Sequence, residues 1–185
     1  IGLNADNNIV AGKYIIGEKF MSENATSASG TDAVALGSAT TASAAYSTAL
    51  GLFTTASGSQ SIATGGYTTA SGPQSFTTGI NTTAVGNGAI AAGRSYSSGP
   101  PTWPDRIFAI GDGAVAMGYA DTNTVAGDEA ADKGAIALGY NVQSLAEAAV
   151  TLGKDLNNYN ANSVLVQDLN VLGDANFANM TIDGV

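Results

Sequence analysis

The sequence predicts an all-β solenoid built from stacked coils of fourteen residues, and three observations predict it. Glycine recurs every seven residues from Gly30 to Gly93, with Ala44 at the one position where it is missing. Large and small side chains alternate with period two before every second glycine, as they do along a strand. Residues 33–93 contain no charged side chain. Repetition at so short a period is typical of stacked coils rather than of a globular core.

The richer half of each repeat reads as a strand that ends at a glycine. Large residues stand three and one positions before this glycine, and a small residue stands between them. Glycine permits the sharp corner that follows. The glycines in question are Gly37, Gly51, Gly65, Gly79 and Gly93, and the large residues of the pattern include Val34, Leu36, Ile62, Phe76, Ile90, Val115 and Ile136.

The leaner half of each repeat predicts a second, shorter strand or extended turn. It reads Thr40-Thr41-Ala42-Ser43 and returns in similar form at 54–57, 68–71 and 82–85. Coils that stack as parallel strands lie ~4.8 Å apart. Equivalent residues such as Thr41 and Thr55 should therefore form ladders along the solenoid.

The energy balance of one coil predicts assembly. We expect a coil to bury about two large side chains, each worth roughly 1.5–3 kcal/mol. Ordering its residues costs roughly 1–2 kcal/mol each in backbone entropy. So thin a coil is not expected to stand alone, and the face of alanine and serine lets backbones approach closely. We therefore expect a homotrimer that associates through the solenoid.

Three phrases of the sequence resemble a known repeat. The segments 32–38, 113–118 and 134–139, which read DAVALGS, GAVAMG and GAIALG, are similar to the fourteen-residue head repeat of trimeric autotransporter adhesins, the YadA-like heads. The resemblance covers roughly residues 30–154. It implies a trimer of left-handed parallel β-rolls, exposed outside a cell, that attaches to surfaces or matrix. Similar repeats also occur in phage and virus tail-fibre proteins.

The breaks in the repeat divide the chain into three parts. We expect residues 1–29 to be a lead-in segment that caps the open end of the roll, because exposed sheet edges need covering. Residues 30–154 form the head, with insertions at 94–105 and 121–133. Residues 155–185 are predicted to be a neck followed by a short β-stranded shaft, since apolar and polar residues alternate there between turn signals.

Each insertion carries a candidate site with a competing interpretation. In the first, Tyr96 and Trp103 can project to contact a ligand. Alternatively, Trp103 folds back to bury its large area against a neighbouring copy, which is the interpretation that we favour. In the second, four carboxylates can bind calcium, but EF-hand spacing is missing and a hydrated loop is favoured, so no metal is expected. The carboxylates are Asp121, Asp128, Glu129 and Asp132.

Composition argues against several classes of protein. The chain has no histidine and no cysteine, which removes the commonest general base and all thiolate metal sites. No catalytic or nucleotide-binding motif occurs, so neither an enzyme nor a bound cofactor is expected. A net charge of −9 with 6 basic residues offers no basic surface for nucleic acid. No apolar run approaches the ~20 residues of a membrane span.

The function that these observations favour is attachment. We expect a non-enzymatic trimeric fibre or adhesin segment that projects from a cell or virion and contacts host-surface or matrix proteins or glycans. The alternative within this class is a phage tail fibre or receptor-binding protein. A third hypothesis is ice binding, because the paired threonines at 40/41, 54/55, 68/69 and 82/83 would suit a regular ladder. Strands favour threonine in any case, which weakens it.

Overall fold

The computed structural model describes residues 2–3, 9–10, 20–21, 26–96, 106–121 and 129–166, and this part of the chain is built from strands and turns. Two parallel sheets run along a solenoid, one of long strands and one of short strands. The long strands are Phe20–Met21, Val34–Ser38, Thr48–Leu52, Ile62–Gly66, Phe76–Ile80, Ile90–Tyr96, Val115–Asp121, Ile136–Tyr140, Val150–Lys154 and Val164–Val166. The short strands are Ser27–Ala28, Thr41–Ala42, Thr55–Ala56, Thr69–Ala70, Thr82–Ala84, Ile107–Ala109, Glu129–Ala130, Gln143–Ser144 and Asn157–Asn158. A separate antiparallel pair joins Gly2–Leu3 to Ile9–Val10.

The register confirms the fourteen-residue coil. Gly51 pairs with Gly37 on one side and with Gly65 on the other, so equivalent residues form continuous ladders. Two coils are longer than the others, because Ile90 pairs with Val115 and Val115 pairs with Ile136. The extra residues of both coils enter after a long strand, at the positions where the sequence predicts insertions.

The stacking extends beyond the predicted head at both ends. Phe20 pairs with Val34 in the long-strand sheet, so part of the predicted lead-in segment adds a coil to the solenoid. At the other end, Val164 pairs with Val150 and Asn157 with Gln143. Residues 155–166 thus form a further coil rather than the start of a neck. The predicted shaft falls on residues 167–185, which lie outside the described residues.

The interior of the coils corrects one expectation from the sequence. The large residues before each glycine point outward, and the small residues between them fill the inside. Ala35, Ala49 and Ala63 are 0% exposed, whereas Ile62, Phe76 and Ile90 keep 40%, 36% and 37% of their surface. In most of the described coils the buried residues are alanine, serine and threonine. The coil therefore does not bury two large side chains, as the energy balance had assumed.

The content of the interior also changes along the solenoid. Thr40, Thr54, Thr68 and Thr82 point inward from four consecutive coils and are fully buried. Their hydroxyls, together with those of Ser61, Ser75 and Thr77, have no hydrogen-bond partner in the protein. Ile107 and Val142 are buried in later coils, and Ile107 pairs with Thr82 in the short-strand sheet. The earlier coils thus enclose polar groups where the later coils enclose aliphatic ones.

The glycines that follow the two large residues of each long strand, which we call the phrase-ending glycines, allow the coils to stack closely. Gly65 has a φ of 114°, and a Cβ built on it would lie 2.1 Å from the carbonyl oxygen of Gly79 in the next coil. Real Cβ atoms do not approach a carbonyl oxygen so closely. The adjacent Gly66 differs, because the nearest atom to its Cβ would be Cγ1 of Ile80 at 4.0 Å. The periodic glycine is therefore a steric requirement, and its neighbour is not.

Candidate functional site

On the outward side of the long-strand sheet, the side chains that precede the periodic glycines form an apolar surface without charge, which we call the outer face. Two columns of side chains form it along the described coils. The first column is Val34, Thr48, Ile62, Phe76, Ile90, Val115, Ile136, Val150 and Val164. The second column is Leu36, Leu50, Thr64, Thr78, Ala92, Met117, Leu138, Leu152 and Val166. Soluble monomers seldom expose an apolar surface of this length, so the outer face has the character of an interface.

The sizes of the two columns compensate for each other. Where the second column is reduced to Thr64, Thr78 and Ala92, the first column carries Ile62, Phe76 and Ile90. Where the second column carries leucine or methionine, the first carries valine, threonine or isoleucine. The apolar bulk across the outer face thus stays similar from coil to coil, as close packing against a partner requires.

Each coil turns at two corners, and both hold a residue with positive φ. The wide corner follows the short strand and includes Tyr46, Gln60 and Gln74, with φ between 56° and 59°. The tight corner follows the long strand and includes, in successive coils, Ala39, Phe53, Tyr67 and Asn81, with φ between 52° and 55°. The amide of each tight-corner residue from Phe53 to Asn81 donates to the preceding coil, which continues the ladder around the corner.

The tight corner displays an aromatic pair that the sequence analysis missed. The rings of Phe53 and Tyr67 are stacked with centroids 5.0 Å apart. Leu52 and Ile80 lie beside them at the ends of their long strands, and all four side chains are exposed. Gly66 stands between Leu52 and Ile80 in the same ladder. A signal exists in the sequence, since these residues occupy the two positions after a phrase-ending glycine.

Farther along the same edge, a second aromatic pair is flanked by a cation. Tyr119 and Tyr140 are stacked with centroids 5.6 Å apart, and Nζ of Lys154 lies 5.2 Å from the centre of the Tyr140 ring. Lys154 also lies 3.8 Å from the carboxylate of Asp155. Arg94 occupies the preceding position of this ladder, since it pairs with Tyr119. The tight edge is therefore aromatic along much of its length and charged only in its later coils.

The wide edge is polar by comparison. The side-chain amide of Gln74 donates to Oε1 of Gln60, which lies in the preceding coil, across 3.0 Å. Oδ1 of Asp112 accepts from the backbone amide of Asn87 at 2.8 Å. Tyr46 is exposed on this edge, and Gln60 follows it in the ladder. Amides and carboxylates thus dominate the side of the coil opposite to the aromatic pairs.

The predicted ligand-binding residues fall mainly outside the described residues. Tyr96 ends a long strand and pairs through its backbone with Asp121, but its side chain lies outside the described part. Trp103 lies wholly outside it. Their proposed contact with a ligand, or with a neighbouring copy, remains a prediction. The first insertion is shorter than expected, because Arg94–Tyr96 belong to the strand.

The acidic insertion, which is the candidate calcium site, is described only in part. Asp128 lies outside the described residues, and Asp121 and Glu129 contribute only their strand positions. Oδ1 of Asp132 accepts from the amide of Lys133 at 2.7 Å, within the wide corner. Among the residues that the structure does describe, no group of three or more acidic side chains is placed to hold a metal ion.

The paired threonines do not form the double row that an ice-binding surface needs. Thr40 points into the coil and is fully buried, whereas Thr41 lies half-buried on the outward side of the short strand. The same division holds for Thr54 and Thr55. One column of each pair is thus hidden, and the hypothesis of a flat threonine ladder loses its geometric basis.

Among the described residues, no helix has the length and apolar character needed to span a membrane.

Comparison with known proteins gives a match to a protein family. The chain matches the YadA head domain repeat over residues 28–54, 56–76, 63–89 and 77–95. These boundaries coincide with the coils whose ladders are most regular in the structure. None of the curated proteins matches the chain.

Proposed function

We propose that the chain is a segment of a trimeric surface fibre whose copies join through the outer face, because residues 28–54 and 56–95 match the YadA head domain repeat. The family is an adhesin-type structural domain and not a family of enzymes. Its members assemble as trimers and are exposed at surfaces in general. The regular parallel stacking from Phe20 to Val166 supports extending the assignment to the coils beyond the matched residues.

The outer face is the observation that carries the trimer. Apart from Ile107 and Val142, the large buried apolar side chains are few in the described coils, so a single chain withdraws little large apolar surface from water. The large side chains lie instead in the two outward columns, where Phe76 and Met117 remain more than a third exposed. Burial of such residues contributes about 25 cal/mol per Å² of apolar surface. Association through the outer face thus supplies the hydrophobic stabilisation that the isolated coil lacks.

A closed trimer is the arrangement that fits a long, straight interface. Copies related by a threefold axis along the solenoid would bring the same outer face of each copy together along its whole length. The absence of charge in both columns removes the desolvation penalty that ionic groups would add. We therefore still propose the homotrimer expected from the sequence, but for a different reason. The large side chains pack between copies and do not fill the coils.

Attachment follows from the display that such a fibre provides. Three identical copies of the same exposed surface raise the apparent affinity of individually weak contacts through multivalency. Presentation outside a cell or on a virion suits a rod of stacked coils, and the ten long strands span roughly 40 Å at the usual strand spacing. A host surface, matrix protein or glycan is the partner we propose. The phage tail fibre remains the alternative owner of the same architecture.

The mass in solution tests the trimer. For the full chain, sedimentation equilibrium should give three times the chain mass of 18.3 kDa. Ile62→Asp places a charge in the first column and should dissociate the trimer or prevent its folding. Val85→Asp is the matched control, because Val85 is exposed outside both columns. A stable folded monomer of the unmodified chain would refute the proposal, as would equal effects of the two substitutions.

A further inference from the structure

The tight edge carries a shallow surface notch that the trimer interface does not account for. Gly66 forms its floor, Leu52 and Ile80 stand on either side in the same ladder, and the rings of Phe53 and Tyr67 lie along it. A Cβ at Gly66 would meet one atom within 4.0 Å, so the space above this glycine is open. We call these five residues the aromatic notch.

The backbone at the notch is unusual for the residues that it holds. Phe53 and Tyr67 have φ values of 52° and 55°, in the left-handed region that bulky side chains seldom adopt. The same corner holds Asn81, Asn141 and Asp155 in other coils, which are residues that tolerate this conformation. Ala39 has the same conformation in the preceding coil, so the positive φ belongs to the corner, and the two large rings held there distinguish the notch.

The position of the notch separates it from the outer face. Its residues follow the phrase-ending glycine, beyond both apolar columns, at the end of the long strand. The same ladder continues to Arg94 and Lys154, which are exposed and charged. Because lysine and arginine favour solvent, this edge is suited to face outward from the fibre.

We propose that the aromatic notch binds a neutral glycan, whose pyranose rings pack against the exposed faces and edges of the stacked pair Phe53 and Tyr67. The C–H groups of a sugar ring carry a slight positive charge and approach the negative face of an aromatic ring. The rings of Phe53 and Tyr67 are 50% and 47% exposed. Ala39 occupies the equivalent corner of the preceding coil, so a methyl group stands there in place of a third ring.

Charge and size select this ligand over others. Residues 33–93 hold no charged side chain, so a cationic partner would find no counter-charge at the notch, and an anionic partner would find only Arg94, one strand beyond Ile80. The notch spans three coils, roughly 10 Å at the usual strand spacing, which suits a short oligosaccharide. A stable protein interface needs about 20–30 residues a side, far more than the notch provides. The inference rests on the proposed function in that a trimer displays three such notches.

Asparagine substitution tests the rings without disturbing the fold. In F53N/Y67N, both corners receive the residue that the chain itself uses at 81 and 141. The trimer should keep its mass and its thermal midpoint, or gain stability. The probes are maltohexaose, cellohexaose and mannohexaose, with heparin as the anionic comparison. We expect the unmodified trimer to bind at least one neutral probe, and the double variant to bind it at least tenfold more weakly by titration calorimetry.

Two further variants sharpen the test. Gly66→Leu should fill the notch and weaken binding at least tenfold, because its Cβ meets open space and its φ is not positive. Tyr46→Asn is the matched control, since Tyr46 is an exposed aromatic with positive φ on the opposite edge. It should bind the neutral probe like the unmodified chain.

Four results would overturn the glycan site while leaving the trimer intact or testing it separately. Binding of no neutral probe would do so, as would a dominant affinity for heparin. Undiminished binding by F53N/Y67N, with loss on Trp103→Ala, would move the site to the first insertion. A loss of trimer stability in F53N/Y67N would make the notch a seam between copies. A monomeric unmodified chain, by contrast, would count against the proposed fibre and not against the notch.

Discussion

The two sides of the long-strand sheet reverse the usual distribution of side chains between core and surface. The side that faces the coil interior holds Ala35, Ala49 and Ala63, and the side that faces outward holds Leu50, Ile62 and Phe76. In a globular domain the larger residues would be inside. The difference teaches that this chain separates two tasks. Close backbone packing holds a coil together, and in the proposed trimer the large apolar side chains are buried by assembly.

The largest expected effect breaks the close packing within the chain. Gly65→Ala should destabilise the trimer by roughly 3–5 kcal/mol per copy, because a Cβ there is strained by its φ and collides with Gly79. Gly66→Ala should change the stability by less than about 0.5 kcal/mol. Thermal and chemical denaturation of the two variants provide the comparison. Equal stability of the two would show that the coil spacing adapts readily.

The next effect contrasts the inner and outer sides directly at adjacent residues. Ala63→Leu forces a large side chain into the coil and should cost about 1–3 kcal/mol per copy or more, as overpacking does. Thr64→Leu enlarges the second column, in which the chain itself uses leucine at 50, 138 and 152, and should preserve the trimer. Denaturant midpoints measure both changes. A tolerated Ala63→Leu beside a disruptive Thr64→Leu would reverse the assignment of the two sides.

The smallest expected effect concerns the polar interior of the earlier coils. Thr54→Val removes a buried hydroxyl that has no partner in the protein and keeps the shape of the side chain. It should stabilise each copy by about 1 kcal/mol, since unpaired buried polar groups cost free energy. Thr55→Val, on the outward side of the same strand, should have an effect near zero. Destabilisation by Thr54→Val would show that the hydroxyl is satisfied in solution.

The sequence was sufficient for the coil and its register. The spacing of Gly37, Gly51 and Gly65 predicts which residues stack, because each glycine must lie against the next. Alternation also predicts that Val34 and Leu36 share a side of the sheet. It does not say which side, and single-chain burial placed them inside wrongly. If the chain assembles as proposed, a neighbouring copy supplies the environment that decides this.

The aromatic notch was missed for a different reason. Left-handed corners are recognised by glycine, asparagine or aspartate, and Phe53 and Tyr67 are none of these. The neighbouring aromatic residues Tyr96 and Trp103 drew attention because they lie in a break of the repeat. The exposed pair Phe53 and Tyr67 lies within the most regular coils. There the glycine repeat is unbroken, so an unusual residue in one corner does not stand out.

The close approach of each periodic glycine to the carbonyl of the next coil also limits how the solenoid can change in length. A single added residue within a long strand would bring side chains against the carbonyls of the adjoining coil, so the strands tolerate no slippage. Duplication or loss of a complete fourteen-residue unit leaves every contact intact and moves the tip by ~4.8 Å. Reach can therefore vary in fixed steps, while new loops enter after long strands, as they do following Tyr96 and Asp121.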